Sequence, residues 1–344
     1  MNRSKSYILL CILILAGFIS NAQQTNCALK LDEAENLYEM GVLDSIPAML
    51  RSCIDDGFEN EELARAYKLL IRTYLFEDYQ EMAELTMMKF LKKFPEYEIK
   101  ANDPIEFTYL YKSYKTVPLY SIGIIGGVNN SFIRIIEPYS LDNAEDYSGE
   151  YSVLGVGYQF GIQIKRYIND EIEINLDALF VNKKFEYNNE QLDSKVNYKE
   201  SQSHLSFPIT GTYDLEYKNV RPFVRFGFSI DYLLASTASV ERSFTGPTSL
   251  EALTGPDLDV VEDRNPLDFS LLFGVGLKYN VKKGYVIFDA RYNLGLTNTV
   301  NSENRYANPE KTWYYNYVDD DFAINNVYVS IGYVYPFYRT RKQK

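Results

Sequence analysis

The sequence predicts an α+β multidomain chain. A small all-α domain of helical hairpins is followed by an eight-stranded antiparallel transmembrane β-barrel. Three observations carry this. The hydrophobic period is near 3.6 over residues 27–115 and becomes two from Pro118 onward. The connections between the period-two segments alternate between short and long. The chain also opens with an export signal, in which Arg3 and Lys5 precede an apolar run from Tyr7 to Ile19. Ser20-Asn21-Ala22 then places small residues where a signal peptidase cuts, so 1–22 reads as a signal peptide.

The helical part, 23–115, is read helix by helix. "CALKLDEAENLYEMG" puts Leu29, Ala34, Leu37 and Tyr38 near one face and stops at Gly41. "DSIPAMLRSCIDDG" follows, with Asp44 or Ser45 as N-cap and Pro47 in the first turn. "NEELARAYKLLIRTYLFED" and "YQEMAELTMMKFLKKFPEY" are the third and fourth helices, the last ended by Pro95. In "DPIEFTYLYKSY", Asp103, Pro104 and Glu106 suggest an acidic capping box. The first four helices form two hairpins and resemble tetratricopeptide-type packing, without its full signature. Two cysteines, Cys27 and Cys53, remain after signal removal. In an exported protein an even pair reads as one disulfide, the alternative being two buried thiols.

Eight strand candidates follow within 118–339: 119–130, 151–168, 171–187, 202–217, 221–240, 267–281, 284–300 and 324–338. "IND", "KN" and "KKG" are short turns, whereas 137–150, 188–201, 241–266 and 301–323 read as long polar loops. In the second strand, Leu154, Val156, Tyr158, Phe160, Ile162 and Ile164 alternate with Gly155, Gly157, Gln159, Gly161, Gln163 and Lys165. In the seventh, Val286, Phe288, Ala290 and Tyr292 alternate with Asp289, Arg291 and Asn293. A water-soluble barrel would turn the apolar set inward, and a membrane barrel would turn it outward. The polar face is rich in Gly, Ser, Asn and single charges of both signs, without the Lys and Glu runs of a solvated surface. That favours the inverted arrangement. Lys165, Arg225, Lys278 and Arg291 are then lumen cations expected to pair with Glu173, Asp177, Asp214, Asp231 and Asp289, since buried charges need partners. Outward tyrosines such as Tyr158, Tyr213, Tyr232, Tyr279, Tyr292 and Tyr333 suit an interfacial girdle.

The closing strand "SIGYVYPF" has Ser330, Gly332, Tyr335 and Phe337 in the pattern polar-x-Gly-x-x-aromatic-x-aromatic. It resembles the C-terminal signal read by the outer-membrane barrel assembly machinery, although a short basic tail, 340–344, follows. Together with "YSIGIIGGVNNS" and "LGVGYQFGIQIKRYI", it looks like the OmpA-like or PorT-like outer-membrane barrels of Bacteroidota, over about 118–338. The resemblance implies an outer membrane of a Gram-negative bacterium, with surrounding lipid and the assembly machinery as partners. The helical segment is not part of the usual family pattern. Its "C…LYE.G.L..IP..L..C" run looks like the periplasmic domains attached to some barrels of that phylum, which implies unidentified periplasmic or outer-membrane protein partners and, by analogy with some PorT-like proteins, an envelope-assembly or type IX-like secretion complex.

The net charge of −12 argues against nucleic acid. No catalytic, cofactor or metal constellation is legible. His204, the one histidine, reads as a rim or loop residue, and Ser203 or Ser206 lacks an identifiable catalytic partner set. Asp319 to Asp321 reads as a solvated acidic loop rather than a Ca²⁺ site. "WYYNY", Trp313 to Tyr317, reads as loop packing, with adhesion as the alternative. Asp44-Ser45-Ile46 resembles an O-glycosylation sequon, with a helix N-cap as the plainer reading. The expected function is a non-enzymatic barrel anchoring an interaction domain. A channel, a surface-binding barrel and a lipid enzyme are the competing classes.

Overall fold

The computed structural model describes residues 26–139, 149–191, 194–215, 220–244, 251–281 and 283–343. The expected signal peptide, 1–22, and the expected "KN" turn, 218–219, lie outside them. The chain forms two compact units: one holds the residues up to Val117 together with Tyr338–Lys344, the other Pro118–Phe337.

In the first unit the helices are α1 (residues 26–39), α2 (Ile46–Asp56), α3 (Asn60–Phe76), α4 (Gln80–Lys93) and α5 (Ile105–Lys112). Gly41, at φ +76°, ends the first by taking the left-handed conformation that glycine tolerates best. Pro47 sits in the first turn of α2, and Ser45 is its N-cap without a side-chain cap bond. A capping box between Glu59 and Glu62 opens α3. This helix is the spine, because it buries two faces. Ala66, Leu69 and Leu70 pack with Leu31, Ala34, Ile46 and Leu50. Leu63, Tyr67 and Ile71 pack with Met87, Phe90, Phe107 and Leu110. Each such fully buried large apolar side chain contributes about 1.5–3 kcal/mol.

The expected acidic cap of α5 is not formed. Its N-cap is Pro104, with no side-chain bond. Asp103 instead accepts from the Lys100 amide (2.8 Å) and the Tyr97 hydroxyl (2.7 Å), and pairs with Lys68 at 2.5 Å. A nearby cation is a stronger partner for a carboxylate than a helix amide. The residues expected as a tail, 340–344, continue the last strand through Lys342. Tyr338 donates to Glu96 (2.5 Å) and Lys342 pairs with Glu84 (2.6 Å).

The second unit is built on β1 (Tyr114–Glu137), β2 (Glu150–Val153), β3 (Gly157–Tyr167), β4 (Ile172–Gln191), β5 (Ser194–Asp214), β6 (Val220–Phe244), β7 (Leu253–Thr254), β8 (Leu258–Asp259), β9 (Leu267–Val281), β10 (Gly284–Gly295) and β11 (Asp321–Lys342). Eight of these close a ring in the order β1-β3-β4-β5-β6-β9-β10-β11 and back to β1; β2, β7 and β8 are short additions at its edge. The expected strand 151–168 breaks at Gly155, whose φ is +58°, leaving β2 paired with β4 alone. The expected long loop 188–201 is not a loop: Gln191 pairs with Ser194, and Asn188 with Asn197. Its polarity misled because this part of the sheet rises past the apolar band, where an outward side chain meets water. Along the band, Phe226, Phe288, Ile331 and Tyr333 are exposed, while Arg225, Asp289 and Ser330 are buried.

Cys27 and Cys53 form a disulfide, 5.6 Å between Cα atoms, joining α1 to α2 across 26 residues. Thiol titration of unreduced protein comprising residues 23–344 should find no free cysteine. Cys53→Ser should lower the stability of the helical unit by about 3–4 kcal/mol, the loop-closure value for that span, read by urea unfolding.

Candidate functional site

The candidate site is the barrel interior with the cap of strands and loops at its far end. Nearest the end of the barrel where β1 enters it at Pro118, Glu173 on β4 lies between Lys165 (3.4 Å) and Lys278 (2.9 Å), and Lys278 also holds Asp214 at 2.7 Å. One layer further in, Arg225 on β6 pairs with Asp289 (2.9 Å) and stands 3.7 Å from Asp177. Arg291 on β10 pairs with Asp177 and Asp289, each at 2.8 Å. Gly274 leaves room for this pairing: a Cβ there would lie 3.4 Å from Arg291 Cγ and 3.6 Å from Arg225 Cβ. It is register partner to both arginines, across β6 and across β10, and presents no side chain to crowd them. The sequence-predicted lumen cations and acids therefore all point inward.

Asp231 has a different partner from the arginines. It pairs with Lys183 (2.8 Å) and accepts from Ser206 (2.5 Å) and Ser229 (2.7 Å). His204 is not on a rim. It is buried in the interior, with Nε2 3.0 Å from Gln202 Oε1. Asn129, Gln159 and Ser330 add a neutral network, Gln159 donating to Ser330 at 2.9 Å. Two cavities among these residues hold about 10 Å³ each, room for a single water.

Beyond the apolar band a second ionic cluster locks the cap. Arg264 pairs with Glu200 (2.5 Å) and Asp319 (2.8 Å), and Lys311 pairs with Asp319 (2.6 Å) and Asp263. Tyr198 and Tyr317 stack beside it, with ring centroids 4.1 Å apart. Asp319 to Asp321 is thus not a solvated acidic loop. Asp319 is buried among cations, Asp320 accepts from Tyr139 N and Tyr151, and Asp321 pairs with Arg305. Burial alone would raise the Asp319 carboxyl, but Arg264 and Lys311 outweigh it and hold the group well below the usual carboxylate range. For Asp263 burial wins over Lys311, and its pKa is raised. Tyr315 and Tyr317 of the aromatic run are packed inside, whereas Trp313 and Tyr314 are exposed.

Lys183, Glu200, Asp263, Arg264 and Lys311 were not singled out from sequence. Lys183 continues the inward period of Glu173 and Asp177, so the signal was present. Glu200 was hidden by reading 188–201 as a loop. Of the closing motif, Ser330 points inward, while Tyr335 and Phe337 are outward and exposed. Gly332 is required by close approach: a Cβ there would lie 2.6 Å from Ile124 O.

The model of one family, the outer membrane protein beta-barrel domain, matches residues 119–301, more than half of the chain. The chain belongs to this family. Its place is therefore the outer membrane, and the exposed apolar band is the surface that meets lipid. Among solved structures, the chain is similar to Neisserial surface protein A (14% identity, TM-score 0.30, covering 63% of this chain and 97% of that one). It is also similar to the attachment invasion locus protein Ail of Yersinia pestis (11%, 0.27, 64% and 100%) and to the outer membrane protease OmpT from Escherichia coli (12%, 0.28, 65% and 95%). No curated protein sequence matches.

Two outcomes are expected of this outer membrane barrel. Arg291→Leu strips a buried cation from Asp177 and Asp289 and should lower the unfolding free energy by about 3–5 kcal/mol, measured by urea unfolding in micelles. The contribution of Asp319 is present above its unfolded pKa of about 4 and is lost as pH falls through the lower folded value. Protease resistance of the cap should therefore hold from pH 8 to about 5 and fall below about pH 4, with Asp263 partly opposing the trend.

Proposed function

We propose that the chain is a sealed, non-enzymatic outer-membrane anchor that carries its helical unit on the periplasmic side for binding other envelope proteins. The observation that carries this is the interior crossed by ion pairs at successive levels, from Lys278–Asp214 to Lys183–Asp231. An eight-stranded ring has a lumen only wide enough for its side chains, and here the side chains are bonded to each other. A pore is disfavoured for that reason. An enzyme is disfavoured because Ser206 bonds Asp231 while His204 bonds Gln202.

An even number of strands returns the chain to the end it left, and both termini are read as periplasmic. The helical unit has its own cores and disulfide, and it exposes Phe76, Ile105 and Tyr109, which suits protein contact. The partner class implied by the sequence resemblance is an envelope-assembly or secretion complex. Exposed Trp313 and Tyr314 favour a second reading, ligand binding at the outer surface.

The test is co-purification from detergent-extracted membranes, with and without residues 23–115. Partners should be lost with the deletion, planar bilayers should show no unitary conductance, and protease added to intact cells should cut in the cap and spare the helical unit. Steady conductance by the intact protein, or cleavage near residue 60 in intact cells, would overturn the reading.

A further inference from the structure

Just beyond the apolar band, the outer wall of the barrel carries a groove of about 450 Å³. Lys184 of β4, Lys199 and Ser201 of β5, and Thr237 and Ser239 of β6 line it, closed on one side by the β2–β3 junction and on another by Asp257. The register explains the gathering. Lys184, Ser201 and Thr237 form one cross-strand row, and Lys199 and Ser239 belong to the next. Glu186 is the cross-strand partner of Lys199, but its carboxylate accepts from Asn188 and Asn197. Neither lysine is ion-paired among the described residues. The Glu200 carboxylate faces the other way, into the cap cluster, so among the lining residues Asp257 alone opposes the two cations, while Asp259, the register partner of Thr237, flanks the groove and accepts from the Val261 amide.

We propose that this groove binds the phosphate of an anionic lipid headgroup. Depth argues for lipid. The last outward apolar residues below the groove are Phe180 on β4 and Leu205 on β5. Four residues at about 3.3 Å each, tilted about 40°, raise Lys184 roughly 10 Å above Phe180 along the barrel axis. The headgroup layer is about 5–8 Å thick on each side of the hydrocarbon, and a lysine reaches several ångströms along its flexible stem. Its ammonium therefore falls at the level of the phosphates. Hydroxyls of Ser201, Thr237 and Ser239 supply further donors to phosphate oxygens. Which leaflet supplies the lipid rests on the orientation proposed above; the site itself does not.

The test is native mass spectrometry of the full-length protein in neutral micelles doped with phosphatidic acid, with phosphatidylcholine, or with inorganic phosphate alone. A lysine near an anionic surface contributes about fivefold in affinity. The wild type should thus retain phosphatidic acid roughly 10- to 30-fold more strongly than phosphatidylcholine. Lys184→Ala/Lys199→Ala should bring the two lipids to parity, whereas Lys195→Ala, exposed further along β5, should change nothing. If the double alanine variant folds poorly, Lys184→Arg/Lys199→Arg keeps the charge and should keep the preference. Equal retention of the two lipids by the wild type, or an unchanged preference in the double alanine variant, would overturn the site while leaving the sealed-anchor reading intact. Saturation by inorganic phosphate alone would overturn the lipid assignment in favour of a free ion.

Discussion

Four charges inside the barrel constrain everything around them. Arg225, Arg291, Asp177 and Asp289 come from β4, β6 and β10, strands that are not neighbours in the ring. An arginine facing lipid at mid-depth costs about 2–4 kcal/mol, and an unpaired one inside costs as much or more. Both costs are avoided only if the ring closes, the register is right and the acids meet the guanidiniums across the lumen. A slip of one residue in any of these strands would exchange the inner and outer faces and lose the whole arrangement. The cluster therefore specifies the barrel as much as it stabilises it.

Lipid gives the outward side chains no reason to prefer one neighbour over another, so interior polar contacts must select the fold. The same logic continues into the cap in altered form. Once the sheet passes the apolar band, water bathes its outer face and a conventional buried core becomes available. Phe185, Tyr198, Val260, Tyr317 and Phe322 form that core, with Arg264 tying Asp319 of the loop 301–320 to Glu200 of β5 and Lys311 tying the same loop to Asp263. One strand can thus have a polar interior in its lower half and an apolar one above, as β4 does between Asp177 and Phe185.

The helical unit obeys ordinary rules of soluble proteins. Its organisation follows from α3, which is apolar on two faces and collects α1 and α2 on one, α4 and α5 on the other. The disulfide adds a covalent link between α1 and α2, which share one face of α3. Residues 338–343 belong with these helices by contact, although they continue a barrel strand by sequence.

Sequence alone determined the change of period at Pro118, the inverted faces, the pairing of Cys27 with Cys53 and the inward direction of Arg225 and Arg291. Each rests on local alternation or a simple count, which a linear reading preserves. Partner choice was beyond it. Asp231 meets Lys183 rather than an arginine because shear around the ring, not alternation along a strand, decides which layers coincide. The height of the β4–β5 hairpin and the burial of Asp319 were likewise hidden. Polar residues mean loop in a linear reading, yet here they are strand exposed to water, or acid enclosed by a nearby Lys311 and by Arg264 from 55 positions away. Only the closed tertiary structure sets those distances.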